Sequence, residues 1–291
     1  MTWDIVSTHR CALGESPVWD KNKNRVLWVD ILTGEIHHFY PESGRHDTDR
    51  TGQKTGAIAL RKSGGLIAAL ENGFYEIDID NRLQNLISNP EKHLPDNRFN
   101  DGKCDPTGRF WAGTMSMSDK PGAGKLYALE KDLSVTVKIE NVSCSNGLAW
   151  SPDQKIFYHI DTLTQNVVAY DFEALTGHIS NPEIVIQISK EEGYPDGMTI
   201  DSEGMLWIAI WNGWKIARFN PFTGKKISEV KLPTAQITSC TFGGKDLTDL
   251  YVTSARTGLT GEQLNKQPYA GSLFMIGDTH CRGLETFEFM G

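Results

Sequence analysis

The chain has 291 residues, a formal net charge of −8 and five cysteines. That acidic balance argues against nucleic acid or an anionic membrane surface as the main partner, because both reward clustered Lys and Arg. The first residues lack the basic start and apolar stretch of a signal peptide, no apolar run approaches the ~18–20 residues of a membrane span, and the scattered cysteines include no CxxC pair; a cytoplasmic protein with reduced thiols is expected.

Period-2 alternation and short apolar runs between turn residues predict strands along the whole chain. Residues 3–6 read as a strand whose partner is expected at 285–289, so that the two chain ends meet; the first unit is expected to lack a strand ahead of Glu15. Arg25–Asp30 is apolar on both faces, as a strand between two neighbouring sheets must be, and after Thr33-Gly34 a second strand runs out to Tyr40. Residues 109–113 and 125–129, then 155–161 and 166–171, repeat the pairing. So do 205–210 and 215–220, joined by Asn212-Gly213, a dipeptide favoured in hairpins because both positions tolerate positive φ. The last pair is 250–254 and 272–276, and helical signals are confined to 189–193 and 261–266.

A longer period overlies these elements. Trp19, Leu60, Cys104, Trp150, Ile200 and Phe242 recur roughly every 40–50 residues, the range of propeller blades. Four places before each stand Glu15, Gly56, Asn100, Asn146, Asp196 and Thr238. Units of about four strands that cannot bury both faces alone stack best around an axis, so the expected fold is all-β, a six-bladed β-propeller with residues 1–291 as a single domain. Pseudo-rotational symmetry then gathers the polar positions at one end of the axis. Loops joining second to third strands reach that same face, and two of them, 115–124 and 255–271, are long enough to form a wall over it.

Glu15, Asn146 and Asp196 make an all-oxygen set with two formal charges, suited to one divalent ion: Ca²⁺, Mg²⁺ or Mn²⁺, with Zn²⁺ or Fe²⁺ tolerated. Three protein ligands leave positions open for water and substrate. Taken singly, Asp196-Gly197 and Asn146-Gly147 read as turns, and Glu15 beside Pro17 as a solvated loop residue; only their shared register lifts them together. Arg98 either hydrogen-bonds a polar substrate or pairs with Glu15 and Asp196. Asp30 and Asp161, at matching strand ends, read as turn caps. The chain has no HExxH, GxSxG or P-loop, and its histidines show no metal-binding spacing; His37 and His38, adjacent in a strand, point to opposite faces.

The segments Gly14-Glu15-Ser16-Pro17-Val18-Trp19, Asn97-Arg98-Phe99-Asn100-Asp101-Gly102-Lys103, Ser145-Asn146-Gly147-Leu148-Ala149-Trp150 and Tyr194-Pro195-Asp196-Gly197-Met198 resemble signatures of the regucalcin/gluconolactonase family of sugar lactonases, and more those of its bacterial members. The resemblance spans the chain. It implies a six-bladed propeller, metal ligation by Glu15, Asn146 and Asp196, and contact of Arg98 and Asn100 with a sugar lactone. Asp196 is then the expected proton acceptor in opening a lactone to its aldonic acid, with a monomer sufficient. The alternatives are phosphotriester or other ester hydrolysis at the same metal, or a non-catalytic calcium-binding propeller. One departure stands out: the family carries acidic residues just after the third-unit Gly113-Thr114-Met115, whereas here Ser116-Met117-Ser118 precede the first acid, Asp119.

Overall fold

The computed structural model describes residues 2–277 and 279–291. The fold is an all-β, six-bladed β-propeller in one domain: six four-stranded antiparallel sheets whose innermost strands touch one another in a closed ring. Those strands are Gly14–Asp20, Thr55–Leu60, Asn97–Cys104, Ser145–Trp150, Tyr194–Ile200 and Ile237–Gly243. Burial falls outward within a blade. In blade one Gly14–Asp20 and Arg25–Asp30 are buried throughout, while the outer Arg45–Arg50 is mostly exposed. This is why the second strand of the blade carries the run Val26-Leu27-Trp28-Val29, apolar on both faces, while the outer strand reads as charged.

Buried aspartates at the ends of two inner strands fix the turns behind them. Asp105 accepts from the Thr107 and Arg109 amides and from Trp111 Nε1; Asp201 accepts from the Glu203 and Met205 amides and from Trp207 Nε1. The arginines Arg109 and Arg218 balance these charges, so each blade core gains a satisfied indole at the cost of one paired carboxylate.

Ring closure departs from expectation. Blade one has its four strands, and it is blade six that lacks one from its own stretch of chain: Trp3–Ile5 pairs in antiparallel fashion with Phe274–Ile276 and supplies the outer strand. Residues 285–289 form no strand with the N-terminus. This tail crosses the far end of the axis, where the Phe289 amide donates to Leu60 O and its carbonyl accepts from Lys62. Phe289, wholly buried, joins a core cluster with Phe74, Phe99 and Phe110, a larger apolar burial than a solvent-facing edge strand provides.

The short helical segments fall at Lys190–Glu192 and Gly261–Lys266, as the sequence suggests, with a further 3₁₀ turn at Thr162–Thr164. At Asn212-Gly213 the left-handed positions are Asn212 and Trp214. Gly213 serves close approach instead, since a Cβ there would fall 2.6 Å from Glu192 O and 2.3 Å from Ile210 Cγ2. Asp30 and Asp161 are caps as read: their carboxylates accept from Ala12 and Leu13, and from Ser143 and Cys144, holding the chain as it enters the inner strand.

Candidate metal and substrate site

Every inner strand carries a register shift against its neighbour near its polar position: between Glu15 and Val18, Thr55 and Ala57, Phe99 and Gly102, Asn146 and Leu148, Pro195 and Met198, and Ile237 and Cys240. A bulge re-aims a side chain that regular pleating would send into the blade. The turn readings of Asn146-Gly147 and Asp196-Gly197 therefore fail, because both pairs lie inside strands and neither glycine has positive φ. The glycines let inner strands crowd the axis: a Cβ on Gly147 would sit 2.9 Å from Asp196 O. Glu15, far from a solvated loop, is 4% exposed.

Blades one, three, four and five bring Glu15, Asn100, Asn146 and Asp196 to this end of the ring, while blade two offers only Gly56. Thr238 of blade six is committed elsewhere, donating to Gly14 O at 2.6 Å to tie the last blade to the first. Asn100 Nδ2 donates to Asn146 Oδ1 at 3.1 Å and to Ser145 O at 2.8 Å; Asn146 Nδ2 donates to Thr162 Oγ1 at 2.8 Å, and that hydroxyl donates to Pro195 O. These bonds set the Asn146 amide with its oxygen toward Asn100. Arg98 Nη1 donates to Asn100 Oδ1 at 2.7 Å and to Phe99 O. Among the described residues Arg98 makes no direct ion pair with Glu15 or Asp196, and its charge acts on both carboxyls only through space.

Burial governs the electrostatics of the two carboxyls. Burial, then the nearby Asp101, raises the Glu15 carboxyl to about 8. Burial and the Glu15 charge push Asp196 well above the ordinary carboxylate range. Arg98 favours the ionised form of both carboxyls through space, Lys103 that of Glu15, and burial lowers both cations. Two buried carboxyls facing one another without a paired cation are costly as protein alone. All-oxygen donors in that state fit a hard divalent cation at Glu15, Asn146 and Asp196.

Below the ring a cavity of about 80 Å³, lined in part by Asp101, Lys103, Trp150 and Cys240, is closed by the tail at Leu284 to Phe287. It holds a few waters at most. The polar set lies toward the other end of the inner strands, where Thr162 reaches Asn146. There the loop after Ser116 is tied down by Ser116 and Ser118 hydroxyls on Asp96. Asp119, the first acid after Met115, is exposed, and its charge acts on Arg98 less than those of Glu15 and Glu71. Thr162, Asp101 and Lys103 were not given roles in the sequence reading; Lys103, which donates to Met198 O at 2.7 Å, lies in the same segment as Arg98 and Asn100. Thr162, in contrast, has no signal beyond following Asp161.

The chain matches the SMP-30/Gluconolactonase/LRE-like region over residues 13–256 and belongs to that family. It is 41% identical to regucalcin of Gallus gallus over 99% of this chain and 98% of the relative. Its fold superposes on a luciferin-regenerating enzyme with a TM-score of 0.94 at 31% identity, covering 99% of both chains. A calcium-binding protein, regucalcin, from Agrobacterium tumefaciens gives the same TM-score at 29% identity, over 98% of this chain and 96% of that one.

Proposed function

We propose that this member of the SMP-30/gluconolactonase family is a divalent-metal-dependent hydrolase that opens a sugar lactone to its aldonic acid. The observation that carries the proposal is the pair of buried carboxyls, Glu15 and Asp196, without a paired cation beside the oriented Asn146 amide. A divalent ion held by Glu15, Asn146 and Asp196 supplies Lewis-acid polarisation of a carbonyl and a lowered pKa for water. Asp196 accepts the proton of the attacking water; the acyl carbon–ring oxygen bond breaks, and the proton passes to the departing oxygen. Arg98 presents donors to ring hydroxyls, while Asn100, whose amide hydrogens go to Ser145 O and Asn146 Oδ1, holds the guanidinium in place and offers Oδ1 as an acceptor, so that the lactone is fixed in one pose. A neutral, hydroxyl-rich substrate suits the acidic chain, and its anionic product is repelled from it.

A second reading, a calcium-binding propeller without turnover, draws on the name of the Agrobacterium relative and on the same oxygen-only donors. Hydrolysis of several aldonolactones by chelator-stripped protein, with Ca²⁺, Mg²⁺, Mn²⁺, Zn²⁺ or Fe²⁺ restored singly, separates the two. Acceleration over metal-only blanks that vanishes on chelation supports the lactonase. Tight Ca²⁺ binding with no acceleration of any lactone supports the binding protein, and phosphotriesters in the same assay test the remaining hydrolytic chemistry.

A further inference from the structure

Blade one gathers histidines that no local spacing links. His9 and Cys11 lie on the irregular segment joining the ring-closing strand Trp3–Ile5 to the inner strand Gly14–Asp20; Glu35 and His37 lie on Glu35–Tyr40. The ligand atoms of His9, Cys11 and His37 all fall within 4.8 Å of one another. Nε2 of His9 and Nε2 of His37 each lie 3.7 Å from Glu35 Oε2.

Two features separate this group from a packed aromatic cluster. First, both Nε2 atoms are buried with no hydrogen-bond partner, and the His37 side chain is wholly inaccessible. Buried polar atoms are seldom left so. Second, the surrounding bonds leave those atoms as the free ones. His37 Nδ1 is engaged by Thr48 Oγ1 at 3.1 Å and His46 Nε2 at 3.2 Å, and His46 is itself held by Ser7. Glu35 spends Oε1 on Arg50, while Oε2 accepts one bond, from the exposed Thr33 hydroxyl at 3.1 Å, and keeps a lone pair toward the imidazoles. Trp28 Nε1 donates to Cys11 Sγ at 3.3 Å. Outer partners of this kind orient metal ligands.

We propose that His9, Cys11 and His37, with Glu35 Oε2 completing the set, form a second metal site, for Zn²⁺ or a similar transition-metal ion, that pins the ring-closing segment to blade one. Mixed nitrogen, sulfur and oxygen donors distinguish it from the all-oxygen axial set. Burial keeps both the His37 imidazole neutral and the Cys11 thiol protonated in the free protein, with the Asp30 charge adding to the latter; a bound cation displaces the thiol proton. Asp30 remains a neighbouring charge, since its oxygens already accept from Ala12, Leu13 and Leu32. The set must tighten around an ion, and His9, its side chain a third exposed, lies on a segment outside the sheets.

The test uses the full-length Glu15→Gln/Asp196→Asn variant, so that axial binding is disabled and failure of the lactonase reading leaves the result unaffected. After chelation, Zn²⁺ and Co²⁺ are titrated by calorimetry, visible absorption and melting temperature. One equivalent should bind and raise the melt, and Co²⁺ should give intense tetrahedral d–d bands with a thiolate charge-transfer band. Adding His9→Ala should weaken binding about tenfold or more, the range seen even for outer-partner losses. Adding Cys11→Ser should abolish the charge-transfer band. Equal melts of the stripped proteins with and without His9→Ala verify folding. Absence of Zn²⁺ and Co²⁺ binding, or affinity unchanged by His9→Ala, overturns the proposal.

Discussion

Asn100 of blade three donates to Asn146 of blade four across the polar end of the axis, Nδ2 to Oδ1 at 3.1 Å. Asn100 also accepts from Arg98, so one amide joins the residue proposed to face substrate to a proposed metal ligand. Replacing Asn146 by Ala should lower cation affinity about tenfold or more by calorimetry, whereas Thr162→Val, which only frees the amide to rotate, should cost less. Equal affinity in wild type and Asn146→Ala would remove Asn146 from the ligand set.

Asp196 bears on stability and function in opposite directions. Its folded-state carboxyl is raised above the unfolded value, so in cation-free protein its ionisation weakens the fold increasingly as pH rises. In chelator at pH 7, Asp196→Asn should therefore be more stable than wild type in denaturant titrations, by something of order 1–3 kcal/mol. With saturating divalent cation the order should reverse, and turnover should be lost. A variant less stable than wild type in chelator contradicts the account of uncompensated charge.

His159, buried in blade four with its Nε2 3.0 Å from Ser145 Oγ, is pushed down to about 3 by burial. The unfolded chain binds this proton near 6.5, so the contribution of neutral His159 is complete above that value and is lost as pH falls toward 3. Denaturant titrations from pH 7 to 4 should show a shallower stability loss in His159→Gln, by up to about 1.4 kcal/mol per pH unit. Parallel profiles for both proteins would assign the acid sensitivity to other groups.

Closure of the ring depends on Trp3–Ile5, where Trp3 packs edge-on against Phe274. Deleting residues 1–8 uncovers an edge strand and should lower the melting temperature by about 5 °C or more. An unchanged melt would show that blade six holds without its borrowed strand.

The underside strap is a separate element. Phe289→Ala should destabilise by about 3–5 kcal/mol, the usual cost of truncating a buried aromatic. Cation affinity at the axial set should change little, because the tail closes the opposite end of the axis from Asn146 and Thr162.

The repeat of Trp19, Leu60, Cys104, Trp150, Ile200 and Phe242 was enough to read six blades, because each blade writes its strands in local period-2 patterns and its place in the ring in a period of 40–50 residues. The same register singled out Glu15, Asn100, Asn146 and Asp196 as positions that share one end of the axis. The partner of Trp3–Ile5 was not legible: 274–276 is short and apolar, 285–289 alternates polar residues with phenylalanine, both patterns suit a strand, and only packing decides which pairs and which crosses beneath the ring. Tertiary structure also decided that Arg98 bonds Asn100 rather than the carboxylates, that Thr162 orients Asn146, and that His9, Cys11, Glu35 and His37 meet. Strand periodicity is a property of neighbours in sequence, whereas bulges, amide orientations and ligand sets arise where separate segments press together, and no local spacing records that meeting.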